Sequence, residues 1–347
     1  METVIIGPAQ AGKTTIFNAL TGQTAPTGDF SAAKKQAHLA DVQVPDSRID
    51  RLSAMFKPKK TTYASVHFRD QPLEYGQDAS MTTSGLNEAR RADTLVLVIR
   101  GFESGSVPHP LQTVNPLRDA RKALESLVLA DYEVAEKRLA RLEKEAKKDT
   151  REHHVLSQIV EMLGSGRLLG RDYFNPEDAK LFSGFGFLTV KPIFLVLNTG
   201  EKTVEVPELT REALEKKLEL FPIRGDLEME IAQLAPEDQK AFLADLGLEE
   251  PAKNRFIRAV YSSLSLQSFF TTGEDEVRAW SIREGTTAVK AAGVIHSDLE
   301  KGFIRAEVVP WQEMLESGDK AKKPKPRLEG KDYVVKDGDI LMIRFNV

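Results

Sequence analysis

Hydrophobic and polar positions divide this chain into stretches of different period. Residues 3–6 (TVII) and 94–99 (TLVLVI) are continuous apolar runs, which read as strands buried on both faces. Residues 38–45 (HLADVQVP) and 63–70 (YASVHFRD) alternate apolar with polar positions, as half-buried strands do. Between them lie helix-like segments. Residues 14–22 (TTIFNALTG) stop at Gly22, and residues 46–56 (DSRIDRLSAMF) open on Asp46 as an N-cap. Strands alternating with helices over residues 1–100 predict an α/β domain with a parallel sheet.

The period changes at Leu117. Apolar residues recur there at 117, 120, 124, 127, 134 or 135, 139, 142 and 146, with charges between them. That spacing predicts one long amphipathic helix. Residues 153–163 (HHVLSQIVEML) predict a second, antiparallel helix, and Asn175-Pro176 open a third with a cap and a first-turn proline. Residues 117–185 therefore read as a helical hairpin inserted into the α/β domain, which occupies 1–116 and 186–264. The α/β signal returns in 191–201 (KPIFLVLNTGE) and 218–226 (LELFPIRGD). A third domain spans 265–347, where 276–296 and 332–347 carry strand alternation and Gly-Asp turn signals.

Composition narrows the class. The 347 residues are 41% hydrophobic and 29% charged, ordinary for a soluble chain long enough for two or three domains. The net charge of −4 supplies no global field for nucleic acid or acidic lipid, so any polyanion contact must be local. There is no cysteine, hence no disulfide and no thiolate metal site. The start, METVIIGP, lacks a basic segment before a long apolar core, so no signal peptide is expected. The apolar runs are too short to span a bilayer. A cytoplasmic monomer with no membrane partner is the expectation.

The chemistry begins at residue 7. "GPAQAGKTT" fits G-x-x-x-x-G-K-[ST] through Gly7, Gly12, Lys13 and Thr14, and it lies between a strand and a helix as a phosphate loop requires. Glycines let backbone N–H groups turn toward phosphate oxygens, and the following helix offers its positive end. Ala9, Gln10, Ala11 and Thr15 complete the nucleotide contacts. Lys13 would reach the β- and γ-phosphates, and the Thr14 hydroxyl would hold Mg²⁺. The alternative is a chance glycine-rich turn. A nucleotide hydrolase also needs a carboxylate near the magnesium on a neighbouring strand. Asp70 is the candidate, against the alternative of a solvated strand-end aspartate.

With these residues the chain resembles the YchF, or Obg-like, ATPases of the translation-factor GTPase class. The likeness covers essentially the whole length and is strongest in the last third, in "FLADLGLEEPAKNRFIRAVYSSLSLQSFFTTGEDEVRAWSIREGTTAVKAAGVIHSDLEKGFIRAEVV" and "LEGKDYVVKDGDILMIRFNV". It implies a P-loop G domain, an inserted α-helical coiled coil and a C-terminal β-grasp-like TGS domain. It also implies Mg²⁺, ATP or GTP as ligand, and the ribosome or its RNA as partner through the TGS and coiled-coil regions.

For the base, the resemblance points to Asn198 and Glu201, an N-x-x-E in place of the guanine-reading N-K-x-D, which goes with ATP. Gly200 stands where relatives carry Asn, and Arg224 with Gly225 occupies the other side of the base pocket, Arg224 being unusual there. His109 matches a histidine proposed to position the attacking water, against the alternative of a loop histidine between two prolines. Lys13 and His109 are thus the candidate catalytic residues.

The switches depart from the family. Asp70-Gln71-Pro72-Leu73 replaces D-x-x-G, and Ala32 and Ala33 stand where a metal-coordinating threonine is expected. A weak, slow hydrolase acting as a translation- or stress-linked switch is the leading expectation. The alternatives are a hydrolysis-deficient nucleotide sensor and a ribosome-binding scaffold with a vestigial loop. The basic stretch 320–327 (KAKKPKPR) offers Lys320, Lys322, Lys323, Lys325 and Arg327 to RNA, or is an ordinary soluble connection.

Overall fold

The computed structural model describes residues 2–25, 38–70, 80–105, 107–201, 206–318 and 324–346. The first-switch alanines 32 and 33, the Gln71–Leu73 departure, and Lys320, Lys322 and Lys323 lie outside these residues.

In chain order the elements begin β1 (Glu2–Ile6), α1 (Lys13–Thr21), β2 (His38–Gln43), α2 (Ser47–Phe56), β3 (Lys60–Thr62), β4 (Ser65–Asp70), α3 (Thr83–Arg91) and β5 (Thr94–Gly101). There follow α4 (Pro116–Lys144), α5 (Arg151–Gly164), α6 (Pro176–Leu181), β6 (Ile193–Thr199), α7 (Pro207–Glu215), β7 (Glu219–Ile223), α8 (Gly225–Gln233) and α9 (Pro236–Asp245). The remainder is α10 (Ala252–Ser263), β8 (Leu266–Thr272), β9 (Glu276–Arg283), α11 (Ala288–Ile295), α12 (Ser297–Lys301), β10 (Phe303–Pro310), α13 (Trp311–Glu316), β11 (Arg327–Glu329) and β12 (Asp339–Phe345). The chain divides into two compact units, residues 1–40 with 67–256, and residues 41–66 with 257–347.

The first unit is built on a six-stranded sheet of order β2-β4-β1-β5-β6-β7. The pairings of β1 with β4 and β5, and of β6 with β5 and β7, are all parallel. Strand β5 is buried at every position, as the apolar run over residues 94–99 predicts for most of its length. Loops at the carboxyl ends of such strands form the crevice in which α/β sheets bind ligands. Gly22 ends α1 in the left-handed conformation at φ 69°, and Asn175 caps α6 by accepting the N–H groups of Glu177 and Asp178. The long helix α4 serves two cores. Its first half packs Ala120, Ala123, Leu124 and Leu127 with the sheet's residues. Farther on, Ala135 and Leu142 join Leu156, Ile159 and Leu163 of α5 in a separate apolar cluster.

The second unit has its own sheet, of order β11-β10-β12-β8-β9-β3. Its core holds Phe269, Ile282, Ala288, Ala291, Ala306, Val308 and Leu341. Two sequence readings change here. Residues 41–66, read as part of the phosphate-loop domain, fall in this unit, and β3 pairs in parallel with β9 from Lys60↔Glu276 to Thr62↔Arg278. Arg48 fastens α2 to the C-terminal segment, with Nη1 donating to Asp337 at 2.5 Å and Nη2 to Asp46 at 2.8 Å. Its guanidinium lies 5.3 Å from the Phe270 ring centroid. The second change is residues 288–295, read as strand-like, which form helix α11. Ala288, Ala291 and Ala292 recur at helical spacing and are all fully buried against the sheet.

Candidate functional site

Gly7 leaves β1 at φ 143°, and a Cβ there would stand 2.2 Å from the Val98 carbonyl oxygen. Gly12, at φ 86°, caps the start of α1, and its Cβ would meet Asn198 Nδ2 at 2.1 Å. Both positions therefore need glycine twice over, for backbone conformation and for space. Between them Gln10 also takes a left-handed φ of 60°, a strain that recurs where a loop is shaped for a ligand. Ala11 is fully buried and Ala9 exposed. The Lys13 ammonium folds back over the loop, donating to the Gly7 and Pro8 carbonyls at 2.9 Å each. It is thus held against the first two residues of the loop.

Thr14 and Asp70 meet as the sequence expected. The Thr14 hydroxyl donates to Asp70 Oδ2 at 2.8 Å, and Asp70 is 5% exposed. The parallel register Ile5↔Asp70 places the carboxylate beside the strand that feeds the loop. A hydroxyl and a carboxylate are hard oxygen donors of the kind Mg²⁺ takes. Among the described residues no cluster of three or more His, Cys, Asp or Glu side chains is assembled. The remaining ligands would therefore be phosphate oxygens and water, the usual habit of Mg²⁺.

Asn198, at the end of β6, joins two loops. Its Nδ2 donates to the Ala11 carbonyl at 3.1 Å, and its Oδ1 accepts the Gly225 N–H at 3.2 Å. It is 3% exposed, so its amide serves as an internal clasp between the phosphate loop and the start of α8. A Cβ at Gly225 would stand 2.9 Å from Asn198 Oδ1 and 3.2 Å from Thr15 Cγ2, which fixes Gly225 in the same joint. Glu201 is exposed beyond β6. Arg224 turns to its own helix, its Nε donating to Asp226 at 3.3 Å.

His109, expected to position the attacking water, lies in the loop before α4. It is 8% exposed and both ring nitrogens are engaged. Nδ1 accepts the Leu111 N–H at 3.1 Å, which puts the ring proton on Nε2, 2.9 Å from Asp119 Oδ2. Arg118 Nε donates to the other oxygen of Asp119 at 2.9 Å. In this arrangement the imidazole holds its loop to the start of α4 and offers no free nitrogen to a water.

Two residues escaped the sequence reading. Phe102 follows β5 directly, and its ring comes to 3.8 Å from the Cβ position at Gly12. Its own Cβ lies 3.1 Å from the Cβ position at Gly200. Arg100 is buried beside it, with its guanidinium 4.5 Å from the Phe102 ring centroid. The signal available was their position at the carboxyl end of a parallel strand.

Strand, glycine loop, lysine and helix, with a hydroxyl and a carboxylate beside them, define a P-loop nucleotide-binding protein of the G-domain type. Comparison with known proteins carries this further. Residues 266–346 match the family YchF-GTPase_C, described as a protein of unknown function (DUF933). The chain is 35% identical to the ribosome-binding ATPase YchF of Bacillus subtilis, over 99% of this chain and 98% of that protein. It is 36% identical to the protein of the same name from Haemophilus influenzae, with the same coverage. Its fold matches the structure of the Schizosaccharomyces pombe YchF GTPase with a TM-score of 0.85 at 26% identity, covering 99% and 97% of the two chains. The chain belongs to the YchF family.

Proposed function

We propose that this protein binds ATP with Mg²⁺, hydrolyses it slowly and acts as a nucleotide-dependent switch on the ribosome in the cytoplasm. The Thr14–Asp70 hydrogen bond of 2.8 Å beside the folded-back Lys13 carries the reading, because it unites the hydroxyl, carboxylate and ammonium that a triphosphate with its metal requires. Lys13 would release the two carbonyls to take the β- and γ-phosphates. Thr14 and Asp70 would hold Mg²⁺, which when bound offsets the charge building on the phosphates. The relatives named ribosome-binding ATPase support both the substrate and the partner. Preference for ATP over GTP rests on Glu201 standing in place of the guanine-reading aspartate. Phe102, packed between Gly12 and Gly200, is the apolar wall against which the base would lie. The TGS reading of 265–347 and the treatment of 117–185 as an inserted hairpin belong to the same proposal. The separate apolar cluster of α4 and α5 supports the latter.

A second reading, a nucleotide sensor with negligible turnover, is favoured by the engagement of both His109 nitrogens. One experiment separates them. ATP and GTP are titrated calorimetrically with Mg²⁺, and phosphate release is followed with the tighter binder. Tighter ATP binding, reversed or narrowed in Glu201→Asp, with slow phosphate release supports the first reading. Stable binding without release supports the second, and a wild-type preference for GTP removes the base assignment.

A further inference from the structure

Arg100 breaks the apolar run of β5 one residue before its end. It is 2% exposed, and among the described residues no other lysine or arginine is buried to this degree. A guanidinium stays charged, and enclosing one is costly unless its donors are satisfied. Here no carboxylate among the described residues forms an ion pair with it. The fork is spent on backbone instead. Nε donates to the Phe102 carbonyl at 3.0 Å, and Nη2 donates to the Val107 carbonyl at 2.8 Å. Nη1 is buried with no hydrogen-bond partner. Burial pushes the guanidinium pKa down, with Glu103 and Asp119 opposing that from a distance.

So costly a residue does a specific task. The two carbonyls, of Phe102 and Val107, both lie in the first half of the loop that leaves β5, and the flat cation also covers the Phe102 ring at 4.5 Å. One planar side chain thus fixes the loop's backbone and the ring's tilt together. A lysine could reach one carbonyl as a point donor and could not stack in the same way. The ring so held fills the space between the phosphate loop at Gly12 and the base-loop segment at Gly200.

We propose that Arg100 is a positioning residue for nucleotide recognition, setting Phe102 as the wall for the base and contributing to affinity through the base and not through the phosphates. This rests on the nucleotide-site reading above. Glycine at 200 belongs to the same device, because the Cβ of any other residue would press on Phe102 Cβ at 3.1 Å.

The test compares Mg-ATP with Mg-tripolyphosphate, which offers the phosphates without base or sugar. Calorimetry on the full-length protein, with thermal midpoints measured alongside, covers Arg100→Met, Arg100→Lys, Phe102→Ala and the double variant Arg100→Met/Phe102→Ala. Each single variant is expected to weaken ATP binding about 10-fold and to leave tripolyphosphate binding within about 2-fold, with the double variant no worse than either. If Arg100→Met fails to fold, Arg100→Lys alone carries the comparison. ATP affinity lost in Phe102→Ala but kept in the Arg100 variants overturns the role of Arg100 and leaves the base wall standing. ATP affinity unchanged in Phe102→Ala removes the base wall itself. Equal loss of both ligands in the Arg100 variants, or full ATP affinity in Arg100→Lys, also overturns the proposal, since a structural or generic charge effect would then suffice.

Discussion

The hydroxyl of Thr14 and the carboxylate of Asp70 are hydrogen-bonded at 2.8 Å although 56 residues separate them. One comes from the first turn of a helix, the other from the end of a strand two places away in the sheet from the strand β5. The bond holds the Asp70 carboxylate against the first turn of α1, where the proposed Mg²⁺ would lie. Replacing Asp70 by Asn keeps a hydrogen-bond acceptor and removes the charge. The expected outcome is a loss of Mg²⁺-dependent nucleotide affinity by about 1.5–3 kcal/mol, with metal-free binding in EDTA little changed. Isothermal titration with and without Mg²⁺ measures both. Equal loss in the two conditions would remove Asp70 from the metal site.

Lys13→Ala deletes the ammonium that bridges the Gly7 and Pro8 carbonyls. Charge-assisted contacts to phosphate are worth about 1.5–3 kcal/mol each, so nucleotide affinity should fall about 10-fold to 150-fold. Unchanged calorimetric affinity would sink the phosphate-site assignment.

His109→Ala leaves Leu111 N–H and Asp119 Oδ2 without their partner in a buried place. The expected cost is about 1–3 kcal/mol of folding stability, read by urea denaturation, with Arg118 still holding the other carboxylate oxygen. Phosphate release measured on the same variant decides the catalytic question. A stable variant that has lost its turnover would return His109 to water positioning. A destabilised variant with unchanged turnover would confirm a purely structural ring.

Arg48→Ala tests the union of 41–66 with the C-terminal segment. It removes bonds to Asp46 and Asp337 and the contact with Phe270. The Arg48 side chain is 21% exposed, and the loss should be about 1–2 kcal/mol after solvent screening at Asp337. Asp337→Ala should cost part of the same energy, with the double variant less than additive. Full additivity would mean that the two residues stabilise the unit separately.

Ribosome association should depend on salt. Neutralising Lys320, Lys322, Lys323, Lys325 and Arg327 should reduce the slope of log K against log salt if this stretch meets RNA phosphates. Sedimentation with purified ribosomes at low and moderate salt, with and without ATP, provides the reading. An unchanged slope would assign these residues to an ordinary soluble connection.

The parts of this protein that depend on local backbone geometry were legible in its sequence. Gly7, Gly12, Lys13 and Thr14 announce a loop between strand and helix, because φ 143° and φ 86° suit glycine and the helix start follows at once. The caps at Asp46 and Asn175 and the long period of α4 were equally local. Residues 288–295 misled because valine and isoleucine favour strands, while the buried alanines that decide for a helix have meaning only against the sheet they cover. Tertiary structure decided which distant residues meet. Pairing Lys60–Thr62 with Glu276–Arg278 moved a segment of the first hundred residues into the C-terminal unit. Packing engaged His109 with Asp119 and enclosed Arg100 over Phe102. Such contacts follow from sheet register and from the volume left between loops, and neither is written in the spacing of residues along a chain.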